Sequence, residues 1–204
     1  MLDVAERQLC RLFTACVLGR WDEVERERRA LDGPPTRAFR EVVFMVHLFA
    51  GMPRQVEAYE VLDRAGGLGP LDPEEATGEG DQVERGRALF GVIYGQNQAA
   101  VEARLYGFHP DFGRFILGHA YGRVLARAGL TPRQRELLAV GALAAMGQER
   151  QLASHARGAV HAGASKDEVE AALAEVQALI EPERYQRGLQ VVLRFARAKG
   201  PTEE

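Results

Sequence analysis

The sequence predicts an all-α protein. Apolar residues recur at helical spacing along most of the chain, and glycine, proline and capping residues separate the apolar segments. No segment shows a convincing alternation of apolar and polar residues, which is the pattern of a half-buried strand. A chain of 204 residues is long enough to bury a substantial core.

Residues 1–65 have the pattern of four helices. Apolar residues at helical spacing predict the first helix over 3–18, and Gly19 ends it. A short charged helix follows over 21–31, and the next helix begins after Thr36, a suitable N-cap. The segment Gly51-Met52-Pro53 predicts a sharp turn into the fourth helix.

A change in composition separates this part of the chain from the rest. Residues 66–80 are rich in glycine, proline and acidic residues, which predicts a mobile linker. We therefore expect one helical half over residues 1–65 and a second over residues 81–204.

The second half continues the helical pattern to its end. The predicted helices cover 82–94, 96–106, 110–128, 131–146, 149–161, 165–180 and 183–199. Capping boxes at Thr131–Gln134 and Ser165–Glu168 mark two of the starts. The segment from Leu137 to Met146 is apolar on every face, so we expect that helix to be buried.

A weak internal repeat relates the two halves. Arg7 to Gly19 has the same spacing as Arg135 to Gly147, and each segment is an apolar helix followed by a polar one. This register places Glu27 opposite His155. Two unrelated helical hairpins are the alternative interpretation.

Composition bounds the function. The net charge of −3 provides no basic surface for nucleic acid. No export segment and no apolar run of membrane-spanning length is present, so we expect a cytoplasmic protein with no membrane partner. Cys10 and Cys16 fall in one helix, about 9 Å apart along its axis, so we expect them to be unpaired core or interface residues.

A spaced pattern of charged residues, glycines and one histidine runs through the second half. Its members are Gly129, Leu130, Arg133, Arg135, Glu136, Leu137, Gly147, His155, Gly163, Ser165 and Glu168. This pattern resembles the carboxymuconolactone decarboxylase family, whose wider superfamily includes the AhpD-type alkylhydroperoxidases. The resemblance implies an AhpD-like helical fold, here built from two tandem half-repeats. The family's Gly-x-Pro turn resembles residues 49–53 of the first half.

The resemblance also implies assembly. Family members commonly form trimers or hexamers, with helices packed between subunits. Two tandem halves in one chain would replace a dimer of single-repeat subunits, so we expect a homo-oligomer, with a trimer favoured.

One element of the peroxidases is missing. AhpD-type enzymes carry a Cys-x-x-Cys on the helix that bears the histidine, and the matching positions here are Gln148 and Gln151. Glutamine forms neither a thiolate nor a disulfide. A thiol peroxidase is therefore the third-ranked function.

The leading prediction is cofactor-free and metal-free acid-base chemistry on a small carboxylate or lactone. His155 would transfer the proton and Glu136 would orient it. Candidate substrate-binding residues are Arg133, Arg135, Gln148, Gln151 and His119. The alternative is a non-catalytic oligomeric scaffold or ligand-binding protein. In that case His155 is structural, and Arg135 and Glu136 form an ion pair.

The remaining histidines are interpreted as structural. We expect His47 to be packed among apolar neighbours, His109 to lie in a turn and His161 to point away from His155. No histidine pair has metal-ligand spacing with a third ligand nearby.

Overall fold

The computed structural model describes residues 1–75 and 80–197, and these residues form helices joined by turns and loops, with no β-strand. The all-α, AhpD-like fold class is confirmed. The helices are α1 Val4–Leu18, α2 Trp21–Arg29, α3 Arg37–Met45, α4 His47–Arg64, α5 Gln82–Tyr94, α6 Gln98–Phe108, α7 Pro110–Phe115, α8 Pro132–Met146, α9 Glu149–His161, α10 Lys166–Glu175 and α11 Pro182–Phe195. A π-helix, Ile116–Leu125, continues α7, and 3-10 turns cover Pro73–Glu75, Gly95–Asn97 and Gln177–Leu179.

Helix α8 lies at the centre of the core. It packs against α1, α9, α10 and α11, and every residue from Arg135 to Ala145 is buried. A helix that is apolar on all faces can be stable only when neighbours cover all of those faces. The prediction that this segment is buried is confirmed, and α8 therefore holds its side chains in fixed positions.

The two helices that the predicted repeat aligns, α1 and α8, share local geometry. Helices α1 and α8 each contain 15 residues and begin with a capping box, Asp3–Glu6 in one and Thr131–Gln134 in the other. Each ends at a glycine in the left-handed conformation, Gly19 and Gly147, both with φ of 70°. These matched elements support the tandem repeat, while the boundaries of the halves stay a prediction.

The predicted turn at residues 51–53 is a kink inside α4. Gly51 has φ of 81° and ψ of 165°, and helix continues on both sides of it. A positive φ of this size favours glycine, which explains the residue at this position. The kink directs Phe49, on the short first part of α4, toward α9.

The described part of the linker is tied to the first half. Arg28 donates hydrogen bonds of 2.6 Å to the carbonyls of Gly66 and Gly67. Glu75 is buried and forms an ion pair with Arg40 of α3. Composition alone did not predict these attachments, and residues 76–79 lie outside the described residues.

The last helix is shorter than the sequence suggested. Helix α11 ends at Phe195, whereas the apolar pattern predicted a helix to residue 199, and Lys199 lies outside the described residues. Across the described ranges, no helix has both the length and the hydropathy needed to cross a membrane.

The two cysteines are core residues, as predicted. Cys10 and Cys16 are free and buried in α1. Burial raises the pKa of each thiol to about 12, so both stay protonated near neutral pH.

Candidate functional site

Glu136 and His155 form a direct contact between α8 and α9. Gly147 ends α8, α9 begins two residues later, and the two helices pack against each other. The distance between His155 Nδ1 and Glu136 Oε2 is 2.9 Å. The predicted proximity is confirmed, and the catalytic role stays a prediction.

The surroundings of this pair change the proton affinity of the histidine. The side chain of Glu136 is 2% exposed and that of His155 is 18% exposed. Burial by itself lowers the pKa of His155, but the charge of Glu136 and its hydrogen bond outweigh burial, so the net pKa is raised from 6.5. His155 therefore holds its proton more tightly than a free imidazole does.

The hydrogen bond also fixes which nitrogen is reactive. Because a carboxylate only accepts, Nδ1 of His155 carries the proton and donates it to Glu136. Nε2 has no hydrogen-bond partner among the residues that the structure describes. This nitrogen accepts a proton when His155 is neutral and donates one when it is charged.

A glycine in α9 makes room for the carboxylate. A Cβ atom built on Gly158 would lie 2.5 Å from Glu136 Oε2 and 2.9 Å from the side chain of Ile93. Glycine inside a helix costs stability, so its presence here has a packing reason. The sequence analysis missed Gly158, although its position three residues after His155 is a usable signal.

Aromatic residues complete the surroundings. The ring centroid of Phe49 lies 6.1 Å from that of His155. On α5 and the π-helix, Tyr121 donates a hydrogen bond of 3.2 Å to the hydroxyl of Tyr94. Burial raises the pKa of both tyrosines and the charge of Glu136 adds to the effect, so both phenols stay protonated. No spacing in the sequence connects these tyrosines to Glu136.

The two arginines proposed as a carboxylate clamp are engaged with protein groups. Arg133 bonds to Glu6 at 2.6 Å and to Glu168 at 2.7 Å. Arg135 is 2% exposed and pairs with Glu41 at 3.1 Å.

The partner of Arg135 is therefore Glu41 of α3. The alternative prediction of an Arg135–Glu136 ion pair is not what the structure contains. Neither Arg133 nor Arg135 presents a free guanidinium to a ligand at His155.

Gln148 and Gln151 lie on the exposed start of α9. Spacings of three and four residues place Gln148, Gln151 and His155 along one face of the helix. Gln148 and Gln151 therefore lie on the same face of α9 as His155, nearer to the start of the helix.

The other histidines lie in different settings. Nε2 of His119 is 2.9 Å from Nε2 of His47, whose Nδ1 is 2.8 Å from the carbonyl of Phe44. His119 is thus paired with His47, a contact that the sequence did not predict. The side chain of His109, which the sequence placed in a turn, caps the start of α7, and His161 bonds to the carbonyl of Ile93. Within the described ranges, no group of three or more metal-ligating side chains could hold a metal ion.

The matching position of the first half holds an ion pair. Glu27, opposite His155 in the repeat, is buried and accepts a hydrogen bond of 2.8 Å from Arg11. This half therefore provides a stable charge pair where the second half provides a titrating imidazole.

Comparison with known families assigns the second half. Residues 110–200 match the model of the carboxymuconolactone decarboxylase family. This segment, a little under half of the chain, is therefore similar to the carboxymuconolactone decarboxylase family. Glu136, His155 and Gly158 all lie within the matched residues.

Two curated relatives are similar to the chain. Peroxisomal protein 2 of Schizosaccharomyces pombe is 27% identical over 135 residues, covering 64% of this chain and 62% of the relative. Peroxisomal protein 2 of Saccharomyces cerevisiae is 26% identical over 164 residues, covering 67% of this chain and 58% of the relative. The chain thus spans about three fifths of the length of these relatives.

Proposed function

We propose that this carboxymuconolactone decarboxylase-like protein is a cofactor-free acid-base catalyst acting on a small carboxylate or lactone. The observation that supports this most directly is the 2.9 Å contact between His155 Nδ1 and Glu136 Oε2. A buried carboxylate that is hydrogen-bonded to an imidazole fixes the tautomer of the imidazole and stabilises its charged form. Glu136 is the positioning group and His155 Nε2 is the atom that exchanges protons.

The chemistry implied by the family name needs proton transfer and a stabilised developing enolate. The pKa of His155 is raised above its ordinary value by the charge and hydrogen bond of Glu136, which favours the charged, proton-donating form of the imidazole. Loss of carbon dioxide leaves the electron pair of the broken C–C bond on the enolate, and charged His155 donates its Nε2 proton to that carbon. The neutral imidazole then regains a proton from water. Because Arg133 and Arg135 are bonded to protein carboxylates, substrate orientation falls to Gln148, Gln151 and the ring of Phe49.

A thiol peroxidase remains the disfavoured alternative. The thiols that AhpD-type chemistry needs are replaced by Gln148 and Gln151, and Cys10 and Cys16 are buried with pKa values of about 12. The purified protein should show no dithiol-coupled reduction of an alkyl hydroperoxide. Turnover that is lost in a Cys10→Ser, Cys16→Ser double variant would establish this alternative.

A non-catalytic scaffold or ligand-binding role is the second candidate. It is favoured by the ion pairs that occupy Arg133 and Arg135. We also propose a cytoplasmic location for either function, although the two yeast relatives are named peroxisomal proteins.

The deciding experiment is a decarboxylation assay on carboxymuconolactone and related lactone carboxylates. His155→Gln should reduce kcat by about 10²- to 10⁴-fold, the usual contribution of a general acid-base group. His161→Gln on the same helix is the matched control and should retain activity, since His161 bonds only to the carbonyl of Ile93. Equal rates for the two variants would favour the scaffold.

A further inference from the structure

A second candidate binding site lies away from His155, between α3, α4, the linker and the π-helix. This linker cleft has a volume of about 1020 Å³, and its walls include Phe44, Tyr59 and Leu68. Such a volume is at the upper end of the range of small-molecule pockets. Neither Glu136 nor His155 lines the linker cleft.

The carboxylates on the floor of the linker cleft are committed to arginines. Both oxygens of Glu75 accept hydrogen bonds from Arg40, at 3.0 and 3.1 Å for Nε. Glu41 accepts from Arg127 at 2.7 Å and from Arg135 at 3.1 Å. These oxygens are therefore poor acceptors for a ligand, and the floor is closed to a cationic group.

Two donors that line the linker cleft lack partners. The hydroxyl of Tyr59 makes no hydrogen bond in the described part of the chain, and burial raises the pKa of Tyr59 to about 12, so the phenol keeps its proton. The exposed guanidinium of Arg123, on the π-helix, forms no ion pair or hydrogen bond with any described residue. Arginine is suited to bidentate recognition of a carboxylate.

The rim also carries acidic side chains, and their settings differ. Asp72 lies 3.6 Å from Arg40, and Glu60 lies 3.7 Å from Arg64. Asp63 is the rim carboxylate with no arginine partner in the described ranges. The cleft therefore has two side-chain donors without partners, Tyr59 and Arg123. It has one carboxylate without an arginine partner, Asp63, which is exposed to solvent.

We propose that the linker cleft binds a small anion with an apolar body, whose carboxylate is held by Arg123 and Tyr59 and whose body packs against Phe44 and Leu68. The cleft is lined by the first half, the linker and two arginines of the second half, and it does not include His155. The proposal does not depend on the catalytic role of His155.

Calorimetric titration with three probes of similar shape tests the proposal. Phenylacetate is the anion, phenylacetamide is the uncharged probe and phenethylamine is the cation. Phenylacetate should bind the wild-type chain most tightly, and added salt should weaken its binding. Arg123→Gln should weaken phenylacetate binding by at least about threefold and leave phenylacetamide unchanged. Tyr59→Phe should weaken phenylacetate binding by about two- to tenfold.

Controls separate the site from general charge effects. Arg20→Gln removes an exposed arginine that does not line the cleft, so phenylacetate affinity should be unchanged. Leu71→Asp adds a negative charge to the rim at a side chain that is 70% exposed, so the fold is kept while the anion is repelled.

The proposal is wrong if phenylacetate binds no more tightly than phenylacetamide, or if none of the three probes binds at about 10 mM. It is equally wrong if phenethylamine binds most tightly and loses affinity in Asp63→Asn. Circular dichroism of each variant confirms that the fold is retained.

Discussion

Burial gives Glu136 its effect on His155. In water, a carboxylate beside an imidazole is screened, whereas at 2% exposure its charge acts at close range in a medium of low polarisability. In the first half, the position that the repeat aligns with His155 is Glu27. Its charge is neutralised by Arg11, whose guanidinium stays charged. At this position of the repeat, the first half has a carboxylate paired with an arginine, and the second half has an imidazole paired with a carboxylate.

Gly158 should control the position of the Glu136 carboxylate. In Gly158→Ala, the new methyl group would lie 2.5 Å from Oε2, so the carboxylate must move or α9 must shift. We expect the variant to lose about 1–3 kcal/mol of unfolding free energy. The pKa of His155 should fall because the hydrogen bond lengthens. Chemical denaturation and an NMR titration measure the two effects.

Gly91→Ala on α5 is the matched control for this substitution. The added methyl group there would meet only the end of the Gln98 side chain, which can rotate away. If Gly158→Ala is as stable as Gly91→Ala and leaves the pKa of His155 unchanged, then Gly158 does not position the carboxylate.

The pair should also make stability depend on pH. The pKa of His155 in the folded protein lies above its unfolded value, so the contribution is fully present below about pH 6.5 and is lost as pH rises through the folded pKa. In Glu136→Gln, burial alone acts on His155 and its folded pKa falls, which destabilises the variant at low pH. The Tm difference between wild type and Glu136→Gln should therefore narrow from pH 5.5 to pH 8.5. A constant difference would show that the two residues are not coupled.

At the residue scale, the sequence predicted the contact between Glu136 and His155 but not the residues that hold this contact in place. The register from Glu136 to His155 spans two helices joined by one short turn, so spacing was sufficient to bring them together. Gly158 and Phe49 act through contacts between separate elements, which periodicity does not encode. The ion-pair partners of Arg133 and Arg135 are also distant in sequence. The sequence alone therefore does not exclude these arginines as a clamp for a substrate carboxylate.

Among the elements, α5 and the π-helix make the closest approach. A Cβ atom on Gly122 would lie 1.7 Å from the carbonyl oxygen of Gln82, and one on Gly86 would lie 1.8 Å from that of Leu117. The two backbones can touch only because both positions lack a side chain.

Gly122→Ala should therefore force α5 and the π-helix apart. We expect a loss of at least about 1–3 kcal/mol of unfolding free energy, because backbone atoms cannot move aside as side chains do. Gly107→Ala is the control, since a methyl group there meets nothing within 4 Å, and it should stabilise α6 by about 0.5–1 kcal/mol. Equal melting temperatures for the two variants would contradict this account of the crossing.

Local signals predicted most helices and missed the π-helix. The bounds of α5 and α9 match the sequence prediction. Asp81 caps the start of α5, and Gly147 ends α8 two residues before α9 begins. Ile116–Leu125 reads as ordinary α-helix from its apolar spacing. The π-helix packs closely on α5. The apolar spacing of one segment does not indicate how closely that segment packs on another, so the sequence pattern did not predict the π geometry.

At the scale of the whole molecule, one region of the surface carries several exposed aromatic side chains. Helix α6 has no buried residue, and Phe108, Phe112 and Phe115 are 65%, 42% and 57% exposed. Clustered exposed apolar residues are typical of protein interfaces. We therefore keep the prediction of a homo-oligomer, with a trimer favoured over a hexamer.

Light scattering at micromolar concentration should report about three times the chain mass of 22.5 kDa. Phe108→Asp should shift the distribution toward the monomer, because it places a charge in the interface. Val4→Asp is the control, since Val4 is 83% exposed on α1. A monodisperse wild-type monomer would contradict the prediction.

The most direct test of the acid-base proposal is an NMR titration of the His155 ring in the wild type and in Glu136→Gln. The wild-type pKa should lie above 6.5, and the variant pKa should lie below it, because only burial then acts on the imidazole. His47, whose pKa is lowered by burial, should give the same curve in both proteins. The same pKa for His155 in both proteins would contradict the coupling on which the acid-base mechanism depends.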